Sequence, residues 1–295
     1  MNLEDTLSSW TKPSSDSEQN KQERTERMIR QAIDAHGTFE KCTLSVYAKG
    51  SYANNTNVRS DSDVDIAVEC TEALYWEESE QGIYKPSSSY QGIWTPNKLR
   101  SELVAALEKK FPGQVDTSGS TAIQINSSSA RVDADVVPCF TYRYYSSLNH
   151  YWQGTKIFTK AGKEIVNYPA QQLQNGRTKN TRTGNAYKKA VRIFKRVENA
   201  MVVKSIYQEL PSYFIECLVY NCPDEVFSLK TWTDVVQGVL VHIWQSLQGG
   251  ELTSGNNRWI EVNECFYLFH DAQKWKRSDG REFAHAAWNY LGYAS

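Results

Sequence analysis

No apolar run in the 295-residue chain approaches the ~20 residues needed to span a bilayer, which excludes a helical membrane protein. The opening residues, MNLEDTLSSWTKPSSDSEQNKQER, lack the apolar stretch of a secretory signal, so a soluble, non-secreted protein is expected. An excess of charge of one sign is also missing: 33 Lys and Arg stand against 34 Asp and Glu, a net charge of -1. That balance excludes a global attraction to nucleic acid or to an anionic membrane, and any polyanion must be held locally. Among Cys42, Cys70, Cys139, Cys217, Cys222 and Cys265 there is no CxxC pair and no zinc spacing. Reduced, interior cysteines are expected, which points to the cytoplasm. Glycine and proline together (16 and 8) are too few for a fibrous or low-complexity chain. No repeat recurs at solenoid periods. What remains is an ordinary folded composition, 40% hydrophobic and 23% charged, with chain enough for two domains or one large one.

The first dozen or so residues are expected to fray, and 1–17 is read as a flexible N-terminus. From Glu18 to His36 the sequence is charged, with Met28, Ile29, Ala32 and Ile33 on one side and Gly37 as a stop, the pattern of an amphipathic helix. Alternation over Thr43–Tyr47, a break at Gly50-Ser51 and renewed alternation over Val64–Val68 predict two strands around a turn. Residues 71–95 have no clean period and are expected to be a loop insertion. Asn97–Phe111 puts Leu99, Leu103, Ala106 and Leu107 on one helical face behind an Asn cap. Ile123 and Ile125, a Ser127–Ser129 turn, then Val132, Ala134 and Val136 up to Pro138 predict a hairpin. Past about residue 175 helical patterns dominate, at roughly 184–203, 211–221, 231–247, 263–276 and 281–291. The fold class expected is α+β: a mixed sheet-and-helix core over 18–175, then a helical domain over 176–295.

The richest stretch runs from Gly50-Ser51 through Asp61-Ser62-Asp63-Val64-Asp65 to Val68. In a strand, Asp63 and Asp65 share one face while Val64, Ile66 and Val68 take the other. Two carboxylates side by side repel, and a hard divalent cation relieves that repulsion. The later strand Arg131–Pro138 supplies Asp133 and Asp135 on one face, either of which completes a trio suited to two-metal phosphoryl transfer. Taken alone, a DxD pair is equally well explained by a solvated strand edge. A calcium loop over Asp61, Asp63, Asp65 and Glu72 fails, because Ile66 stands where glycine is required. Gly50-Ser51 suits a phosphate-binding turn, with the backbone approaching closely and a hydroxyl donor added, although a plain β-turn uses the same residues.

A local positive surface follows. Residues 177–204 carry Arg177, Lys179, Arg182, Lys188, Lys189, Arg192, Lys195, Arg196 and Lys204 against Glu198 alone. Lys188, Arg192 and Lys195 fall on one helical face, within reach of nucleotide phosphates. A solvated charged face is the bland alternative, and the excess of one sign argues against it. Ser212, opening the next helix after Pro211, adds a hydroxyl and helix-terminal N–H groups, and also suits a cap. Tyr142, Tyr144, Tyr145, Tyr151 and Trp152 are aromatic enough to stack on a base, yet such clusters are commonly packing, and no role is assigned to them.

Together these motifs resemble the DNA polymerase β-like nucleotidyltransferases, and within them the bacterial cGAS/DncV-like nucleotidyltransferases (CD-NTases), over about residues 20–290. The resemblance rests on Gly50-Ser51 with Asp63-Val64-Asp65, Asp135-Val136-Val137-Pro138, Asn167-Tyr168-Pro169, Asn175-Gly176, Lys179-Asn180, the Tyr187–Lys195 helix and Pro211-Ser212-Tyr213. It implies Asp135 rather than Asp133 as third ligand, because the family places that ligand directly before a Val-Val-Pro run. It further implies an active site in the cleft between core and helical domain. There Asp63, Asp65 and Asp135 are catalytic and hold two Mg2+ ions, with Mn2+ able to substitute. Gly50, Ser51, Ser62, Arg192, Lys195 and Ser212 are implied as nucleotide-binding. The implied activity is template-independent: NTPs are joined with loss of pyrophosphate into a cyclic di- or trinucleotide messenger of antiphage signalling. A downstream effector would respond to the diffusible product, and regulatory proteins encoded nearby are implied partners. No Cys/His zinc insertion is present, so no DNA binding is expected, nor any membrane. The competing functions are an RNA 3′-end or protein nucleotidyltransferase of the same fold, and a non-catalytic nucleotide-binding scaffold.

Overall fold

The computed structural model describes residues 2–58, 63–83, 90–252, 254–255 and 257–293. The chain divides into two compact units, one of Ser14–Ala53 with Arg59–Ala170, the other of Met1–Pro13, Asn54–Val58 and Gln171–Ser295.

The first unit is built on a seven-stranded mixed sheet. Strand β1 (Leu44–Lys49) pairs antiparallel with β2 (Val64–Glu78), and β2 pairs parallel with β5 (Ala134–Ser147). Beyond β5 lie β4 (Ile123–Ile125) and β3 (Val115–Asp116), while β6 (His150–Phe158) and β7 (Glu164–Asn167) continue from the far half of β5. Helices α2 (Asp16–Asp34) and α4 (Pro96–Lys110) bury Ile29, Ile33, Leu99, Leu103 and Leu107 in one cluster with Val64, Ile66, Val68 and Val136. The apolar positions of β2 therefore serve the helix-covered face, as the alternation predicts, and the odd positions Asp65 and Ala67 take the other.

Two expectations here need correction. The predicted loop over 71–95 begins as strand, since β2 runs to Glu78, and a register shift between Cys70 and Leu74 breaks the two-residue period that reveals a strand. The cap of α4 is Thr95, whose hydroxyl accepts the Lys98 N–H at 3.2 Å, and not Asn97. Pro96 suits the first helical position, because its fixed φ is helical and it has no N–H to satisfy.

The second unit is helical and has its own buried core. It contains α1 (Leu3–Trp10), most of α5 (Pro169–Arg182), α6 (Ala186–Val203), α7 (Ser212–Tyr220), α8 (Trp232–Ser246) and α9 (Arg277–Tyr290). The N-terminus does not fray as expected. Asn2 caps α1, Leu7 is fully buried in the core, and Glu4 accepts the N–H groups of Trp232 and Thr233 at 2.9 and 2.7 Å. Residues 263–276 also depart from expectation, for they form turns. The Asn263 side chain accepts the Cys265 and Phe266 N–H groups, Glu264 takes a left-handed φ of 57°, and this local bonding outcompetes a helix. All six cysteines are free thiols, and no described helix is long and apolar enough to cross a membrane.

Candidate active site

Strand β1 ends at Lys49, cross-strand neighbour of Asp65, and its ammonium lies 3.5 Å from an Asp65 carboxylate oxygen. Gly50 follows with φ +68°, swinging the chain into the one-turn helix α3 (Gly50–Ala53) that carries Ser51. A Cβ at Gly50 would lie 2.1 Å from Asp65 Oδ2. Only glycine permits both the left-handed backbone and so close an approach to a carboxylate.

The parallel register sets Asp65 directly beside Asp135. Burial raises the Asp135 carboxyl above its ordinary range, the Asp65 charge adds to the rise, Lys49 opposes it, and Asp133 adds a little more. Asp133 has a different occupation: its carboxylate accepts the Ser127 N–H and closes the turn before β5. Asp63 is exposed and precedes β2, and among the described residues no three acidic, His or Cys side chains are gathered around one point. The structure thus brings Asp65 and Asp135 together on adjacent strands. Ser62 lies outside the described residues. An oxygen-only donor pair from adjacent strands, carrying like charge that one lysine partly offsets, suits a hard divalent cation.

In the helical unit, α6 turns Arg192 and Lys195 inward. Arg192 donates to the backbone oxygens of Thr11 at 2.7 Å and Asn55 at 2.6 Å, and burial, with Arg196 nearby, lowers its pKa to about 10. Lys195 is 2% exposed, with its ammonium 3.3 Å from Thr56 Oγ1 and 3.6 Å from Glu216 Oε2. Burial lowers its pKa and Glu216 opposes that fall. Lys188 is half-buried, and its pKa is lowered by burial, with Glu216 opposing and Arg177 and Arg192 adding. Ser212 is exposed at the start of α7, where no side chain caps the helix. Its hydroxyl is therefore not the cap that the sequence also allows. Sequence reasoning missed Lys49, Asn54, Thr56 and Glu216. Lys49, directly before Gly50-Ser51 at a strand end, carried a local signal; the other three are joined only by the fold.

Residues 174–292 match the family described as the cGAS/DncV-like nucleotidyltransferase C-terminal helical domain. The chain is 35% identical over 299 residues to the cyclic dipyrimidine nucleotide synthase CdnE of Cecembia lonarensis, with 98% of each chain covered. It is similar to the solved CdnE cyclic dinucleotide synthase of Elizabethkingia meningoseptica with GTP and Apcpp, at TM-score 0.81 and 31% identity over 98% of this chain and 99% of that one. The Rhodothermus marinus CdnE c-UMP-AMP synthase, solved with Apcpp and Upnpp, gives TM-score 0.83 at 26% identity over 99% and 97%. With likeness of this order along nearly its whole length, and with paired strand carboxylates beside a glycine turn, the chain belongs to the bacterial cGAS/DncV-like nucleotidyltransferases (CD-NTases), a family of cyclic nucleotide synthases.

Proposed function

We propose that this nucleotidyltransferase joins two NTPs through phosphodiester bonds, releases pyrophosphate and closes a cyclic dinucleotide messenger in the cytoplasm, as part of antiphage signalling. The observation that carries this reading is the placement of Asp65 beside Asp135, with Gly50 packed against Asp65. Asp63, Asp65 and Asp135 are the ligands for two Mg2+ ions, which Mn2+ can replace; when bound, such ions neutralise phosphate charge and acidify the attacking hydroxyl. Asp135 has the role of helping to deprotonate the attacking hydroxyl. The Gly50 backbone and the Ser51 hydroxyl donate to phosphate oxygens, and Ser62 joins them. Ser212 contributes its hydroxyl and the uncapped first turn of α7. Arg192 and Lys195 complete the nucleotide-binding set, as fixed positive charges on α6. The product is diffusible and acts on an effector, regulatory proteins encoded nearby are the partners, and neither DNA nor a membrane is required.

The test is a product assay. Purified protein is incubated with all four NTPs and Mg2+ or Mn2+, because relatives are named for both cyclic dipyrimidine and c-UMP-AMP products. Phosphatase treatment and chromatography follow. A phosphatase-resistant dinucleotide is expected. Phosphatase-sensitive linear products point to an RNA or protein nucleotidyltransferase, and absence of turnover with retained NTP binding points to a scaffold; either overturns the reading.

A further inference from the structure

Glu216 sits in the middle of α7 among Ile215, Cys217 and Leu218, and is itself 1% exposed. A carboxylate in such surroundings is strongly disfavoured unless its oxygens are satisfied. Here both are used. Oε1 accepts the Asn54 side-chain amide at 2.6 Å, while Oε2 accepts the Thr56 hydroxyl at 3.0 Å and faces the Lys195 ammonium at 3.6 Å. The Thr56 hydroxyl in turn accepts from Lys195 at 3.3 Å, so three groups close a ring. Between them, the Asn55 carbonyl accepts from Arg192 at 2.6 Å, and Asn55 itself takes a left-handed φ of 54°. On α5, a Cβ at Gly176 would come within 2.9 Å of the Asn54 amide, so a glycine makes room for it.

Three helices thus close around Asn54–Val58, a segment with no helix or strand hydrogen bonding of its own. Packing alone does not call for this arrangement, since apolar side chains of similar volume in place of a buried ion pair are often neutral or stabilising. What a polar ring adds is a single conformation of the segment. Asn54 is three residues after Ser51, and Thr56 is seven before Asp63.

We propose that Glu216 is a positioning residue for nucleotidyl transfer: it fixes Asn54–Val58 and, through chain continuity, the direction in which the Gly50-Ser51 turn ends. This rests on the reading of those residues given under Proposed function. Gly176, Arg192 and Lys195 are the supports of the same segment.

The experiment compares wild type with Glu216→Gln, Glu216→Asp and Thr56→Val, each checked by circular dichroism and melting temperature. Glu216→Gln turns one acceptor into a donor that faces Asn54 or Lys195, and Thr56→Val deletes one hydroxyl at constant volume. In folded variants, hydrogen-exchange protection of amides 54–58 is expected to fall ~10-fold or more. At saturating NTPs kcat is expected to fall ~10–100-fold, more than KM rises, as misplacement of about 1 Å does elsewhere. Glu216→Asp recovers part of the loss. If Glu216→Gln does not fold, Thr56→Val carries both measurements. Loss of protection at 54–58 with wild-type kcat overturns the proposal, as does a kcat loss no larger than the loss of folded protein. The wild-type assay separates the two readings: no product from wild type defeats the functional reading, whereas product from wild type with full turnover in the variants defeats the positioning role alone.

Discussion

At Gly50 a single methyl group decides whether Asp65 keeps its place. Gly50→Ala meets the left-handed backbone penalty of ~1–2 kcal/mol and a clash with the carboxylate it would touch at 2.1 Å. The expected outcome is a folded protein with product formation down by about 100-fold, read by the chromatographic assay. A second test separates the neighbours Asp133 and Asp135. Asp135→Asn is expected to abolish synthesis, while Asp133→Asn retains it and costs at most ~1.5 kcal/mol of stability, because the Asn side-chain oxygen can still accept the Ser127 N–H once the charge is gone. The pH dependence has a definite sign. A folded carboxyl with a raised pKa binds its proton more readily than the unfolded one, so the ionised form penalises the fold at neutral pH and the penalty fades as pH falls through the carboxylate range. Metal-free Asp135→Asn should therefore melt at or above wild type at pH 7, with the gap closing in acid. The sequence alone left Asp133 and Asp135 level and the family resemblance favoured Asp135; their separate occupations, one in a turn and one beside Asp65, come from the strand register.

Elements were legible where one face is buried and the period is unbroken. Helix α2, the β1–β2 pair, the hairpin into β5 and helices α6 to α8 fall close to where alternation and helical spacing put them. The far half of β2 was not, because the shift after Cys70 resets the phase of alternation. Residues 263–276 have helical spacing, but Asn263 binds the backbone two and three residues on. The basic helix α6 was found by its charges, while the direction those charges face was not, since the groups that turn Arg192 and Lys195 inward come from distant segments. That difference is measurable. Lys195→Ala leaves Glu216 buried without its cation and is expected to cost ~3–5 kcal/mol in denaturant unfolding. Lys204 is exposed one residue past α6, its ammonium 4.9 Å from the Tyr290 ring, and Lys204→Ala is expected to cost no more than ~1 kcal/mol. Equal losses would mean that the buried Lys195–Glu216 pair contributes no more to stability than a surface charge does.

On the scale of the whole molecule, the compact units do not follow the order of the sequence. Its first thirteen residues belong to the helical unit formed mainly by Gln171–Ser295. Glu4 is bonded to Trp232 and Thr233, Thr11 to Arg192, and Trp10 and Lys12 to Arg196, all more than 180 residues away. No window reading of a polar N-terminus can show partners so remote, which is why a frayed end was expected there. Such non-local pairing carries a loop-closure cost that the contacts must exceed, and the burial of Leu7 is the main return. Leu7→Ala is accordingly expected to cost ~2–5 kcal/mol, the range for a buried leucine. Deletion of residues 2–13 should cost more than Leu7→Ala, because it also uncovers the start of α8 and leaves the buried Arg192 guanidinium without the Thr11 carbonyl. Denaturant midpoints of the two proteins decide the matter: a deletion as stable as wild type would mean that α1 merely rests on the surface, whereas a lowered midpoint makes the N-terminus a structural part of the helical unit.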